Sequence, residues 1–290
     1  MKILLTGANG QLGRCVQDVF ADSDHTLIAL DRQSLNIADE QAVNTLVDEH
    51  RPHVILNAAA YTAVDKAESE QEQARQINVD GPANLAKAAA RHNALIIHIS
   101  TDYVFDGRKT TPYVETDPTN PQGVYGQTKL DGEQQVTHHN PKHVILRTAW
   151  VFSEYGNNFV KTMLRLGKER DSLGVVADQV GCPTYAGDIA KACRRVVERY
   201  DADTAHYDIY HYGGDIALSW CDFARAIFTQ GVEQGVLAQS PQVKAITTAE
   251  YPTPAQRPAY SVLSSDKFER DYGVAASDWR GILPALCRTI

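Results

Sequence analysis

The chain has 290 residues, 43% of them hydrophobic and 22% charged, a balance that supports a large buried core and excludes a disordered or fibrous class. Its formal net charge of −8 opposes broad binding to nucleic acid or an anionic membrane, yet permits a nucleotide held by a few local N–H groups and arginines. The N-terminal apolar run is too short for a signal peptide, and the five dispersed cysteines form no C-x-x-C pair, so free thiols in a reducing cytoplasm are expected.

Lys2-Ile3-Leu4-Leu5-Thr6 reads as a short strand, and Gly7-Ala8-Asn9-Gly10-Gln11-Leu12-Gly13 follows at once. Leu12, Val16, Val19 and Phe20 then recur at helical spacing. A strand, a glycine turn and a helix place unpaired N–H groups and a positive helix end where a pyrophosphate can sit. Leu27–Leu30 is the next strand and ends at Asp31-Arg32, 40–49 is a helix, and Val54–Leu56 is a strand running into Asn57-Ala58-Ala59-Ala60-Tyr61. The polar stretch 64–73 leads into a long helix through 84–92, and 95–99 is a further strand ending at Ser100-Thr101-Asp102. Strands alternating with helices predict an α/β fold: a doubly wound parallel sheet whose ligands bind outside the carboxyl ends of the strands. The glycine turn, Asp31, Ala60–Thr62 and Ser100–Asp102 all fall at those ends.

The helix 125–137 carries Tyr125-Gly126-Gln127-Thr128-Lys129. Tyr125 and Lys129 stand four apart and share a face. A lysine ammonium beside a tyrosine favours the phenolate and brings the phenol toward a working pH, and a hydroxyl of the Ser100/Thr101 pair can bond a substrate oxygen. After the strand 144–147 and Thr148-Ala149-Trp150 the alternation loosens into helices at 158–170, from 188, at 219–228 and near 279–287. His138-His139 lies in a polar segment read as a solvated turn. The chain is therefore divided into a Rossmann-type dinucleotide-binding part, 1–155, with later segments at about 175–215 returning to it. The remainder, 156–290, is largely a smaller mixed substrate-binding lobe with a discontinuous boundary.

The G-x-x-G-x-x-G spacing resembles that of the extended, sugar-nucleotide branch of the short-chain dehydrogenase/reductases. The runs from Asn57 to Glu68 and from Ser100 to Gly107 are far more specific. With Tyr125–Leu130, Arg147–Phe152, Gly156–Val160, Asp178-Gln179, Pro183-Thr184 and Arg257-Pro258, they resemble the dTDP-4-dehydrorhamnose reductase family over almost the whole length. The resemblance implies reduction of the C4 ketone of a dTDP-linked sugar by NADPH or NADH, with Tyr125, Lys129 and Thr101 catalytic. It implies cofactor contacts from Gly7, Gly10, Gln11, Leu12, Gly13, Asp31, Arg32, Asn36, Ile37, Ala60, Tyr61 and Thr62, besides Tyr125 and Lys129. Thr101, Asp102, Trp150 and Arg257 are the implied substrate contacts, Arg257 as a diphosphate clamp.

Asp31 favours a free adenosine 2′-hydroxyl and Arg32 a 2′-phosphate, so use of both NADH and NADPH is expected. Some members of the family hold magnesium at a dimer interface through acidic side chains, one of them on the first helix. Arg14-Cys15 stands at that place here, and Asp188 alone is a poor cage, so the expectation is no metal and a monomer or metal-independent homodimer. An epimerase or dehydratase of the same branch is the alternative enzyme, and Asp102-Tyr103 after Thr101 counts against a dehydratase. A regulatory subunit, like the beta subunit of methionine adenosyltransferase, is the alternative outside catalysis.

Overall fold

The computed structural model describes residues 1–290. Its first half runs β1 (Lys2–Thr6), α1 (Gln11–Phe20), β2 (Thr26–Leu30), α2 (Glu40–His50), β3 (Val54–Asn57), α3 (Val64–Ala67), α4 (Gln71–Arg75), α5 (Gly81–Arg91), β4 (Leu95–Thr101), α6 (Val124–His139) and β5 (His143–Thr148). The second half adds β6 (Val151–Phe152), α7 (Phe159–Glu169), β7 (Ser172–Val176), β8 (Val180–Gly181), β9 (Thr184–Tyr185), α8 (Ala186–Asp201), β10 (Asp208–His211), β11 (Leu218–Ser219), α9 (Trp220–Glu233), β12 (Gln242–Ile246), α10 (Asp266–Tyr272) and α11 (Trp279–Thr289).

Six strands form one sheet in the order β10-β5-β4-β3-β1-β2, and every neighbouring pair is parallel. The sheet is doubly wound, as the alternation of strands and helices predicts. Its inner strands are apolar on both faces because both are covered. Ile3, Leu5, Val54 and Leu56 point to the face packed by α1 and α8. Leu4, Ile55 and Ile96 point to the other, under α2 and α5. The reversal of strand order between β1 and β3 opens a crevice at the carboxyl edge.

A separate core of Phe152, Val160, Leu164, Phe223, Phe228, Trp279 and neighbours lies between α7, α9 and α11. It is flanked by the two-stranded pairs β7–β12, β8–β11 and β6–β9. The long helix read through residue 92 runs unbroken from α4 through a π turn (Gln76–Asp80) into α5, and residues 68–70 separate it from α3. Pro82 has no N–H to return to the carbonyl of Asn78, which accounts for the π turn ahead of α5. Helix α6 continues through His138 and His139, whose rings meet edge to face, and ends only at Asn140, which is buried and donates to the Ala94 carbonyl. All five cysteines are free and buried, and no helix is long and apolar enough to cross a membrane.

Candidate active site

A cavity of about 1060 Å³ runs along the carboxyl edge of the sheet. It is at the upper end of the roughly 300–1,000 Å³ common for small-molecule sites, enough for an extended ligand. Gly7, Gly10, Gln11, Leu12, Asp31, Arg32, Asn36, Ile37, Ala60, Tyr61, Thr62, Thr101, Asp102, Tyr125, Lys129 and Trp150 all line it. Gly13 and Arg257 do not.

Gly13 acts beneath the lining. A Cβ there would stand 2.2 Å from the carbonyl oxygen of Gly7, which itself turns with a φ of +72°. Only glycine allows α1 to begin so close to the turn. The helix starts at Gly10 without a side-chain cap, and its first turn carries no acidic residue. Its leading N–H groups are therefore left for an anion, and this cradle fits the pyrophosphate of a dinucleotide. Gln11 ties the cradle to the second lobe, accepting bonds from Ser153 Oγ (3.1 Å) and Asn158 Nδ2 (3.0 Å).

Asp31 is already engaged. Oδ1 accepts from the backbone N–H groups of Gln33 and Ser34 and from the Ser34 hydroxyl, and Oδ2 accepts from Asn9 Nδ2 at 2.8 Å. These bonds hold its carboxyl below the usual range. Arg32 beside it is exposed on the rim. On the other wall, Asn78 in the π turn accepts from the Tyr61 N–H (2.9 Å) and donates to the Tyr61 carbonyl (3.1 Å) and to Thr128 Oγ1 (3.2 Å). One side chain thus joins the Ala60–Thr62 loop to the helix bearing Tyr125. Asn78 is absent from the sequence reading, and Asn-x-x-Gly-Pro, which ends the preceding turn, is the signal that marks it.

The reactive groups meet where β4 ends against α6. Tyr125 is half-buried, its ring edge-on to Tyr103 at 5.3 Å between centroids. A Cβ at Gly126 would lie 2.2 Å from the Tyr103 carbonyl oxygen, so this glycine lets the helix close on the turn after Thr101. Thr101 Oγ1 donates to Asp102 Oδ1 at 2.9 Å and accepts from the Tyr103 N–H at 3.2 Å. Its one proton is thus committed to Asp102, and donation to a substrate oxygen requires it to turn. Asp102 is buried, with Oδ2 unpaired, and burial pushes its carboxyl up to about 6.

Lys129 is buried and donates to the Ile99 carbonyl at 2.6 Å. Burial brings its ammonium down to about 8, partly opposed by Glu133. The phenol of Tyr125 moves the opposite way from the sequence expectation. Burial lifts it to about 12, against the pull of the Thr101 hydroxyl and with a further rise from Asp102. The lysine charge is directed at the sheet, so desolvation decides. Tyr125 is accordingly a loaded proton donor in the ligand-free site.

Trp150 combines cavity lining with packing. It holds a left-handed backbone at φ 49° and stacks on Trp220 with centroids 3.4 Å apart and planes 7° apart. Trp220 in turn meets Phe159 at 4.6 Å. Arg257 lies behind Tyr103, its Nη2 donating to Asp65 Oδ2 at 2.7 Å. That carboxylate competes for the charge a diphosphate would use. Asp188 is held by Lys191 (2.9 Å) and Ser277 (2.8 Å).

The family model described as RmlD substrate binding domain matches residues 1–290. The dTDP-4-dehydrorhamnose reductase of Aggregatibacter actinomycetemcomitans is 51% identical over 284 residues, 97% of each chain. Among solved structures, the dTDP-4-dehydrorhamnose reductase of Clostridium acetobutylicum superposes with a TM-score of 0.92 at 45% identity, covering 99% of this chain and 98% of that one. That of Bacillus anthracis, in complex with NADP, has a TM-score of 0.91 at 37% identity, covering 98% of both. With a match that spans every residue and an identity above one half over nearly the full length, the chain belongs to the dTDP-4-dehydrorhamnose reductase family.

Proposed function

We propose that this chain reduces the C4 ketone of dTDP-4-dehydro-L-rhamnose to give dTDP-L-rhamnose, with NADPH or NADH as reductant. The observation that carries the reading is the meeting of Tyr125, Lys129 and Thr101 in one cavity with an uncapped glycine cradle. The dihydronicotinamide, when bound, supplies a hydride for C4. Tyr125, fully protonated at neutral pH, gives its proton to the developing alkoxide. The Thr101 hydroxyl turns from Asp102 to bond the same oxygen. Lys129 places a positive charge one helical turn from the tyrosinate that results.

In the same reading Gly7, Gly10, Gln11, Leu12 and Gly13 form the pyrophosphate cradle. Asp31 and Arg32 meet the adenosine ribose, Asn36 and Ile37 the adenine, and Ala60–Thr62 run along the cofactor. Asp102 and Trp150 hold the sugar. Arg257 reaches the diphosphate only by leaving Asp65. Because Asp31 already holds its own turn while Arg32 is exposed, the two cofactors are used with similar efficiency. The division into a dinucleotide part, 1–155 with 175–215, and a substrate lobe is supported by β10, which pairs with β5, and by α8, which packs on α1. We further assign a cytoplasmic protein that works as a monomer or metal-independent homodimer.

The test is NAD(P)H oxidation with dTDP-4-dehydro-L-rhamnose beside one UDP-linked ketosugar. Stoichiometric loss of reduced cofactor with the dTDP substrate is expected. Turnover without net oxidation of NAD(P)H means an epimerase or dehydratase instead, and absence of turnover together with co-purification of a second enzyme means a regulatory subunit.

A further inference from the structure

The face of α6 that carries Tyr125 and Lys129 continues one turn further to Glu133, a buried carboxylate with no part in the chemistry above. Three consecutive residues of β4 meet this column of three. The Ile99 carbonyl accepts from Lys129 at 2.6 Å, the Ser100 hydroxyl donates to Glu133 Oε1, and Thr101 adjoins Tyr125. From the far side, Arg147 grips Glu133 in a two-pronged pair, Nε to Oε1 at 2.9 Å and Nη2 to Oε2 at 2.6 Å. Arg147 stands opposite Ser100 in the β4–β5 register, so strand, helix and neighbouring strand are joined at one carboxylate.

The arginine is itself fixed. Its guanidinium lies over the Phe105 ring at 5.1 Å, and Nη1 approaches His211 Nε2 at 3.5 Å. Burial and the arginine charge hold His211 neutral, pushed down to about 3. The side chains of Arg147 and Glu133 are 3% and 2% exposed, so no solvent shields them. A simple weld between α6 and β5 needs no third partner. Here the carboxylate also takes the Ser100 hydroxyl, and it stands one turn from the only lysine of the cavity wall.

We propose that Glu133 is a positioning residue of the reductase site, which sets β4 against α6 so that Thr101, Tyr125 and Lys129 converge, and supplies the negative charge that balances the Lys129 ammonium. The proposal rests on the reductase reading for the roles of those three residues, but not for the charge balance. The charged and titratable groups facing Lys129 are Glu133 on its own helix, with Tyr125 one turn before it, and His98 on β4, with Arg147 on β5 behind Glu133. Of these only Glu133 is a carboxylate within one helical turn of the lysine. It holds the lysine toward the charged form, while burial and the lysine charge keep His98 neutral. Removal of the carboxylate leaves Arg147 as an unbalanced cation behind Lys129, and both effects lower the lysine's affinity for its proton.

The experiment is a 13C NMR titration of the lysine Cε resonances in the ligand-free protein, with Lys129 assigned by its loss in Lys129→Met. The wild-type lysine is expected to titrate near pH 8. In Glu133→Gln its ionisation constant should rise tenfold. In the charge-neutral pair Glu133→Gln with Arg147→Met, which keeps the protein folded if the single variant does not, it should stay at least threefold above wild type. A change under threefold in the double variant overturns the proposal and leaves Glu133 a structural weld only. Steady-state kinetics on the same proteins should show kcat reduced at least tenfold, with the loss growing toward alkaline pH and partly restored in Glu133→Asp. A loss equal at all pH values also overturns it. If wild-type protein fails to turn over the ketosugar, the reductase reading falls while the NMR result still decides the role of Glu133.

Discussion

Replacing Tyr125 by phenylalanine removes one oxygen atom from the cavity and leaves the ring edge-on to Tyr103. Burial raises the phenol further above neutral pH, so the group is held protonated as a proton donor ready for use. A well-placed general acid contributes about 10²–10⁴-fold, or about 3–5 kcal/mol of the barrier. The structural loss is far smaller. The hydroxyl's neighbour is the Thr101 hydroxyl, and one neutral hydrogen bond is worth about 1 kcal/mol. For a chain of this size that is about 2–4 °C in Tm. Tyr125→Phe should therefore lose at least 10²-fold in kcat, keep its Kd for NADPH, and melt within a few degrees of wild type. Stopped-flow fluorescence for hydride transfer, cofactor fluorescence titration and a thermal melt measure the three quantities. A variant that keeps more than a tenth of wild-type kcat refutes the assignment of Tyr125 as proton donor.

Thr101→Val should cost about 2–4 kcal/mol of transition-state stabilisation while Thr101→Ser recovers most of it, and a valine variant at wild-type rate excludes the donor role. NADPH and NADH should differ by less than ~30-fold in kcat/KM, about 2 kcal/mol. Arg32→Ala should weaken NADPH more than NADH, because the lost charge-assisted bonds reach only the 2′-phosphate, and an unchanged ratio means that Arg32 points elsewhere. Trp220→Ala removes the ring on which Trp150 stacks, a contact worth about 0.5–1.5 kcal/mol. The KM for the sugar nucleotide should rise roughly 2- to 10-fold with NADPH affinity unchanged, and an equal loss for both ligands refutes a role confined to Trp150.

The sequence alone determined the features whose causes lie within a few residues. The strand-and-helix alternation is written in local apolar periodicity, so β1, α2, β3 and β5 begin and end within two residues of where that pattern places them. The parallel sheet then follows, because a helix between successive strands carries the chain back to start the next strand in the same direction, and it brings the glycine turn, Asp31, Thr101 and Tyr125 to one edge. The pairings of β7 with β12 and of β6 with β9 were decided only in three dimensions, since β7 and β12 lie far apart in the chain and β6 and β9, at two residues each, are too short to carry a pattern. The same holds for Asp65, 192 residues from Arg257, whose carboxylate occupies an arginine that reads as a phosphate ligand in isolation. It holds for Glu133 as well: its place on the helix face is visible in the spacing, but its charge acquires a use only when β5 lays Arg147 beside it. The Tyr125 proton affinity was decided in the same way. Motif chemistry supplies the ammonium, but how much water the fold excludes, and that the ammonium turns to the Ile99 carbonyl, are properties of packing between elements distant in sequence.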